Sequence, residues 1–233
     1  QRWEAAYEPA VALTLTAVAN VLRTDFVLMN TRKKPFDDPR VRQALNYAID
    51  KEGLVKALLY GTGKVSNSPM PPMAYADAGL KPYPHDVAKA KALLAEAGHK
   101  DGFKTSLLVD SSKPLHRQLG QALQAALKQV GVTADIRLVE GGTHWTTTKS
   151  GDYEMAVAYA SSDTIDPDQL VGFLLVNPER ANAYHTEWKN ERLNELYEKE
   201  RATADGPARG EMFKEIVRLA HGGAPSIFLV YPG

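Results

Sequence analysis

Between residues 103 and 139 the chain alternates strand-like with helix-like segments, and this alternation constrains its fold more than any other feature. Residues 103–109 and 132–139 have the β-forming composition of strands, and the second alternates apolar with polar residues. Residues 115–130 between them carry apolar side chains at helical spacing and end at Gly131, a common helix C-cap. Strands that alternate with helices form α/β domains. We therefore expect an α/β fold with a mixed or parallel sheet flanked by helices.

The remaining segments extend this pattern. A strand is predicted at 26–30, and Asp38 followed by Pro39 is a typical start for the next helix. That helix has apolar residues at helical spacing and is expected to end near Gly61. Residues 62–84 contain five prolines and are predicted to form a long irregular loop. The other predicted elements are helices at 12–21, 86–98, 143–149, 168–175, 191–202 and 207–219, and strands at 153–159 and 227–231.

Composition excludes several classes of function. The 28 Lys and Arg residues balance 28 Asp and Glu residues, which argues against nucleic acid or an anionic membrane as a partner. The chain has no Cys, so disulfides, thiolate metal sites and thiol catalysis are excluded. The six histidines are scattered without an i,i+4 pair, and we therefore predict no metal site and no cofactor. No segment is long and apolar enough to predict membrane insertion of this chain.

Catalytic motifs are missing from the sequence as well. Ser161 and Ser162 lie near Asp163, but no Gly-x-Ser-x-Gly elbow surrounds them. No glycine-rich phosphate loop precedes a predicted helix. We therefore predict that the chain is not an enzyme, and a hydrolase-type lobe is the alternative.

An acidic run, D-T-I-D-P-D at 163–168, follows the strand predicted at 153–159. Loops at strand ends are where α/β proteins place ligand contacts, and three carboxylates suit a cationic group such as a free amine. The competing interpretation is that Asp166, Pro167 and Asp168 simply start a helix. The run by itself leaves both interpretations open.

A series of motifs in order along the chain resembles the extracytoplasmic solute-binding protein family 5. The members of this family serve ABC importers of dipeptides, oligopeptides, nickel complexes and related solutes. The series begins with N-T at 30–31, P-F-D-D-P-R-V-R-Q-A-L at 35–45 and A-I-D-K at 48–51. It continues with P-M-P-P at 69–72, K-A-K-A-L-L-A-E-A-G at 89–98, D-G-F at 101–103, G-V at 131–132, G-D-Y-E-M at 151–155, D-P-D at 166–168, Arg209 and A-P-S-I-F-L at 224–229.

The resemblance implies one lobe of a two-lobed periplasmic-binding-protein fold of the class II, or cluster C, type. Residues 1–25 are then a segment that connects to a missing N-terminal lobe, and residues 26–233 are the C-terminal ligand-binding lobe. The implied function is that of the receptor of an ABC importer, which binds a peptide or a related small molecule between two lobes and delivers it to a permease. The implied location is periplasmic or extracytoplasmic, with a lipid anchor in a Gram-positive organism. A sensor-accessory or chaperone-like binding protein is a further alternative.

The resemblance also implies where the ligand binds. In peptide-binding members, an aspartate three residues before the Asp-Pro-Asp run holds the ligand amine, and Asp163 occupies that position here. Those members usually have a tryptophan three residues earlier, where this chain has Ala160, so a bulkier solute than a dipeptide is expected. We predict that Asp163, Tyr159, Ala160, Ser161 and Trp145 contact the ligand. For Trp145, packing in the core is the competing interpretation.

Overall fold

The structure is a computed structural model that describes residues 22–71, 75, 78–162, 164–177, 179, 183–184 and 186–232. Within these residues, six strands form one sheet and eight helices surround it. The strands are β1 (Leu22–Met29), β2 (Lys64–Val65), β3 (Phe103–Asp110), β4 (Val132–Val139), β5 (Met155–Ser162) and β6 (Ser226–Tyr231). The helices are α1 (Pro39–Ala48), α2 (Lys51–Leu58), α3 (Val87–Glu96), α4 (Pro114–Gln129), α5 (Gly141–Ser150), α6 (Asp168–Leu174), α7 (Glu191–Arg201) and α8 (Pro207–Gly223).

The sheet is mixed, with strand order β2-β6-β1-β5-β3-β4. The neighbours β3 and β4 are parallel, as are β3 and β5, because helices connect them along the chain. Strand β1 runs antiparallel to both β5 and β6. The carboxyl ends of β3, β4, β5 and β6 therefore lie at one edge of the sheet, together with the start of β1. The predicted mixed α/β sheet is confirmed.

Each face of the sheet carries its own core, since successive residues of a strand point to opposite sides. Val27 and Met29 of β1 pack into a core with α1, α2, α3 and α4. Phe26 and Leu28 pack into a second core with α6, α7 and α8. The central strands are buried on both faces and are covered by helices on both sides, as expected for the inner strands of an α/β sheet.

The helix predicted from Pro39 to about Gly61 is in fact two helices, so this prediction was wrong. Ile49 has an extended backbone, with φ −100° and ψ 122°, and it ends α1. The Asp50 side chain accepts a hydrogen bond from the Gly53 amide at 2.9 Å and caps α2. The apolar spacing continues through the break, which is why periodicity alone did not reveal it.

Three strands differ from their predicted bounds because pairing with neighbours extends or creates them. Strand β1 begins at Leu22 rather than at residue 26, with polar residues that pair with β5. Strand β5 ends at Ser162 rather than at Tyr159, so Ser161 lies in the sheet and not in a loop. The two-residue strand β2 lies within the loop predicted at 62–84 and pairs with β6. The helix predicted at 12–21 lies outside the described residues.

None of the helices in the described part of the chain combines the length and the apolar composition that crossing a bilayer requires.

The helices and strands not discussed above were predicted to within a few residues, apart from the C-terminal end of α8, which reaches Gly223.

Lys51, the first residue of α2, is a buried amine without a carboxylate within ion-pair distance among the described residues. Its side chain is 2% exposed, and its Nζ lies 3.4 Å from Asn46 Oδ1 and 5.5 Å from the centre of the Tyr83 ring. Burial lowers the pKa of Lys51 to about 7, because an apolar surrounding disfavours the charged form. An unfolded lysine titrates near pH 10.4.

We predict that Lys51 makes the protein more stable as the pH rises from 7 towards 10. The folded state binds fewer protons than the unfolded state in this window, so the free energy of unfolding gains up to about 1.4 kcal/mol per pH unit from this group. Denaturant unfolding of wild type and Lys51→Met across this range should show the wild type gaining stability relative to the variant. Lys56→Met, at an exposed position of the same helix, is the control and should give a pH-independent difference. A pH-independent difference for Lys51→Met would contradict the prediction.

Candidate functional site

Strands β3 and β5 separate at the carboxyl edge of the sheet and leave an opening there. They pair at Leu107 with Met155 and at Leu108 with Ala156. Strand β5 continues to Ser162 beside β1 alone. In open α/β sheets, ligands bind outside the carboxyl ends of the strands where neighbouring connections diverge. This opening is therefore the candidate site.

On one face of β5, Tyr159 carries two cations against its ring. The Arg23 guanidinium lies 4.3 Å and the Lys113 Nζ 5.3 Å from the ring centre, and the His116 ring packs in an edge arrangement with its centre 5.8 Å from that of Tyr159. Asp25, which is fully buried, accepts two hydrogen bonds from Arg23 at 2.7 and 2.9 Å and lies 3.2 Å from His116 Nε2. The buried Asp25 carboxylate thus holds Arg23 and His116 in place beside Tyr159.

Lys113, immediately before α4, is held by a second carboxylate. Its Nζ lies 3.0 Å from Asp110 Oδ2, at the end of β3. Burial opposes ionisation of Asp110, but hydrogen bonds from Ser112 and Lys113 outweigh it and lower the pKa of Asp110 to about 2. The carboxylate is therefore charged at any physiological pH, and Lys113 is fixed beside the Tyr159 ring.

On the other face, Trp145 is an exposed aromatic side chain beside the opening. It is 45% exposed, so packing in the core is not its role. Its edge contacts Tyr184, with ring centres 5.7 Å apart. The Tyr184 hydroxyl donates to the Tyr159 carbonyl at 2.7 Å, and burial raises the pKa of Tyr184, which keeps this donor protonated. Trp145 and the backbone of β5 are therefore joined through a single side chain.

The remaining predicted contacts are distributed over both faces of β5. Ser161 is half-buried and follows Tyr159 on its face, whereas Ala160 is 5% exposed and belongs to the second core. Asp163 lies outside the described residues. The opening thus brings Tyr159, Ser161 and Trp145 to one edge of the sheet, and the role of Asp163 stays a prediction.

Asp166 and Asp168 start helix α6, as one interpretation of the acidic run proposed. Asp166 Oδ1 accepts a hydrogen bond from the Asp168 amide at 3.0 Å. Both Asp166 oxygens also accept from Arg209, at 2.8 and 3.0 Å. Burial opposes ionisation of Asp166, but these hydrogen bonds outweigh it and lower its pKa. The sequence motif contained Arg209 without indicating this partner, which lies 43 residues away along the chain.

Glu200, at the end of α7, is a fully buried carboxyl group beside Asp168. Its Oε2 accepts from Arg209 Nε at 2.9 Å. Burial and the contact with Asp168 raise the pKa of Glu200 to about 8, although Arg209 opposes this shift. Glu200 is therefore mainly neutral at pH 7, and its proton relieves the repulsion between two neighbouring carboxyl groups.

Sequence reasoning missed Arg23, Asp25, Lys113 and Tyr184. Arg23 and Asp25 precede the predicted strand 26–30 and carry no motif, so no sequence signal marked them. Their spacing of two residues places them on one face of an extended strand, but this signal requires knowing that the strand begins at Leu22. His116, one of the six scattered histidines, carried no sequence signal either, and it is 1% exposed.

The family model for bacterial extracellular solute-binding proteins, family 5 Middle, matches residues 5–182. The chain belongs to this family. The members of family 5 are solute-binding receptors. Within the described residues, no group of three or more His, Asp or Glu side chains is arranged to hold a metal ion.

Individual relatives agree with the family match. The dipeptide-binding protein of Escherichia coli is 31% identical over 90% of this chain, and the heme-binding protein A of Haemophilus influenzae is 29% identical over 88%. The periplasmic binding protein DppA from Helicobacter pylori, solved in complex with the peptide STSA, is 31% identical and superposes with a TM-score of 0.83 over 91% of this chain. The resemblance and the periplasmic-binding-protein type of fold are confirmed.

The chain spans less than half the length of these family 5 relatives. It covers 40% of the E. coli protein, 39% of the H. influenzae protein and 42% of the H. pylori chain. The match therefore covers only part of each relative, and residues of a relative's solute site can lie outside the matched part.

We predict that Glu200 makes this family 5 chain less stable as the pH rises from about 5 to 8. The folded state, with the Glu200 pKa near 8, binds more protons in this window than the unfolded state, whose glutamate titrates near 4.3. Glu200→Gln keeps the shape of the neutral acid, so thermal unfolding of wild type should lose stability relative to this variant as the pH rises. Glu195→Gln, at an exposed position of α7, is the control. Equal pH dependence in wild type and Glu200→Gln would refute the assignment.

Proposed function

We propose that this chain belongs to the receptor of an ABC importer and binds a peptide or a related small molecule at the opening between β3 and β5. The observation that carries the proposal is the cluster at this opening, where Tyr159, Ser161 and Trp145 lie at the edge of a fold shared with a peptide-bound relative. In that arrangement residues 26–233 form the C-terminal ligand-binding lobe, and residues 1–25 connect it to an N-terminal lobe that closes the cleft. No catalytic role is proposed.

The proposed solute carries a cationic amine that Asp163 binds. A carboxylate that is shielded from water by two closed lobes forms a strong charge-assisted bond to an ammonium group. The cations beside Tyr159 do not neutralise such a carboxylate, because Asp25 pairs with Arg23 and Asp110 pairs with Lys113. Ala160 points to the face of β5 opposite Tyr159 and is 5% exposed, so its small side chain leaves room on that face for a solute bulkier than a dipeptide.

The proposed partners and location follow from the receptor role. A permease takes the solute from the closed cleft, so the receptor works outside the cytoplasmic membrane. It is periplasmic, or extracytoplasmic with a lipid anchor in a Gram-positive organism. Native mass spectrometry of gently purified full-length protein tests the role, since a receptor should carry a copurified small molecule, and repeated failure to find one or to bind any peptide pool would count against it.

We predict that Asp163→Asn weakens solute binding without lowering the melting temperature. Loss of a charge-assisted pair typically costs about 2–5 kcal/mol, or roughly thirtyfold to several-thousandfold in affinity. The measurement is calorimetric titration of full-length protein with a pool of short peptides, free and N-acetylated. Acetylation should weaken binding to wild type and have little effect on the variant.

The control for Asp163→Asn is Asp152→Asn, which removes a carboxylate from an exposed position before β5. Its side chain is 88% exposed, and we expect it to leave peptide affinity unchanged. Wild-type affinity of Asp163→Asn for free peptides would rule out the amine contact and favour a solute without a free amine.

We predict that Trp145 reports solute binding by fluorescence. Its half-exposed indole offers an apolar face at the opening, whereas Trp188 is 8% exposed in the core. The bound peptide pool should change the emission of wild type, and Trp145→Phe should remove most of this change. An unchanged response in Trp145→Phe would show that Trp145 does not line the site.

A further inference from the structure

A surface cavity lies beside Lys51, at the sheet edge that β2 forms. Strands β6 and β1 separate this edge from β5, so the cavity is distinct from the opening between β3 and β5. Its volume is about 460 Å³, within the range of about 300–1,000 Å³ that is typical of small-molecule pockets. The start of α2, strand β2 and residues 81–85 line it. Lys81 and His85 in this lining are exposed, so the cavity opens to solvent.

The Lys51 amine, which borders this cavity, has few partners in the protein. The residue is 2% exposed, and its Nζ lies 3.4 Å from Asn46 Oδ1, a long contact. That oxygen already accepts a hydrogen bond from the Phe228 amide at 3.1 Å. Across the described ranges of the chain, no second acceptor lies within hydrogen-bond distance of the amine. An ammonium group carries three donors, so this position is poorly suited to the charged form.

The ring of Tyr83 connects the amine to an apolar wall of the cavity. Lys51 Nζ lies 5.5 Å from the centre of this ring, and both residues line the cavity. The Tyr83 hydroxyl donates to the His221 carbonyl at 2.7 Å, so its polar atom is already occupied. Val65 and Pro82 extend the apolar lining. The cavity therefore combines an apolar wall with a buried amine, which suits an uncharged molecule that has a polar group at one end.

Burial also makes the Lys51 amine a better nucleophile than an exposed lysine. Because its pKa is lowered to about 7, about half of the Lys51 amines are neutral at pH 7. An exposed lysine that titrates near pH 10.4 has fewer than about one neutral amine in a thousand at this pH. The neutral form carries the lone pair that attacks a carbonyl carbon, and desolvated lysines form Schiff bases for this reason.

We propose that Lys51 is a covalent attachment site for a small uncharged aldehyde, and that an aromatic aldehyde fits the cavity best. The Nζ lone pair forms a bond to the carbonyl carbon. Water then leaves, with the carbonyl oxygen and the two amine hydrogens, and a C=N bond remains. No electrons are gained or lost overall, so the step needs no further reactant. This site does not depend on the proposed solute opening or on the receptor role.

Reductive trapping in the full-length protein at pH 7 tests this site. Benzaldehyde is the probe, sodium cyanoborohydride reduces the C=N bond to a stable benzylamine, and peptide mass mapping locates the label. We expect Lys51 to be labelled at least about tenfold faster than Lys56, which is exposed on the same helix. Labelling of Lys51 that is no faster than that of Lys56 would overturn the proposal.

Lys81 provides the matched control, because it lines the same cavity but is exposed. Lys81→Met should keep the fast label, whereas Lys51→Met should lose it. Lys51→Arg is a second variant that should lose the label, because a guanidinium stays charged and forms no Schiff base under these conditions. A fast label that maps to Lys81, or that persists in the Lys51 variants, would show that the assignment is wrong. Mapping on wild type decides this even if a variant does not fold.

Competition with benzyl alcohol tests the cavity itself. This alcohol has the same ring as benzaldehyde but no carbonyl group, so it occupies the apolar wall without reacting. In excess, it should slow the labelling of Lys51 about threefold or more and leave the labelling of Lys56 unchanged. Equal rates at Lys51 with and without the alcohol would show that the cavity does not hold the ring, and the aromatic class of ligand would be wrong.

Discussion

The ladder between β1 and β5 is the interaction on which the rest of the structure depends. It joins eight residue pairs, from Leu22 with Ser162 to Met29 with Met155, whereas β5 pairs with β3 at two positions. Because β1 follows β5 over its whole length, β5 stays ordered after β3 has diverged. The carboxyl end of β5 can therefore form one wall of an opening and still present Tyr159 and Ser161 on a rigid backbone, which is the requirement for a preorganised site.

Buried charges are accommodated in three different ways around this sheet. Asp25 is paired with a guanidinium and an imidazole, Glu200 keeps its proton, and Lys51 loses much of its charge near pH 7. Each solution avoids an unpaired charge in a medium of low dielectric constant, which would be far more costly. Pairing is used beside the opening, where the proposed solute site requires side chains of fixed orientation. The two neutralised groups, Glu200 and Lys51, lie on helices that pack against the sheet.

Local chemistry was a good guide to the helices. Asp38 with Pro39 marked the start of α1, and Asp86 marked the start of α3, where each aspartate binds a backbone amide within three residues. Apolar residues at helical spacing predicted the other helices, because a helix buries one face whatever its neighbours are. Spacing could not reveal the break at Asp50, since the same residues face the core on both sides of it. In the site, the motif marked the strand that carries Tyr159 but none of the charges packed on its ring.

The sequence by itself determined the α/β class, the family and the position of the acidic run after a strand. These depend on composition, capping and motif order, which are all local properties of the chain. Only the tertiary structure decided that the polar residues from Arg23 to Asp25 belong to a strand, because pairing with β5 supplies their hydrogen bonds. It also decided that Arg209 meets Asp166 and Glu200, since packing of α7 on α8 brings residues of three segments together. Contacts between distant segments depend on how the helices pack, and no local pattern in the sequence encodes them.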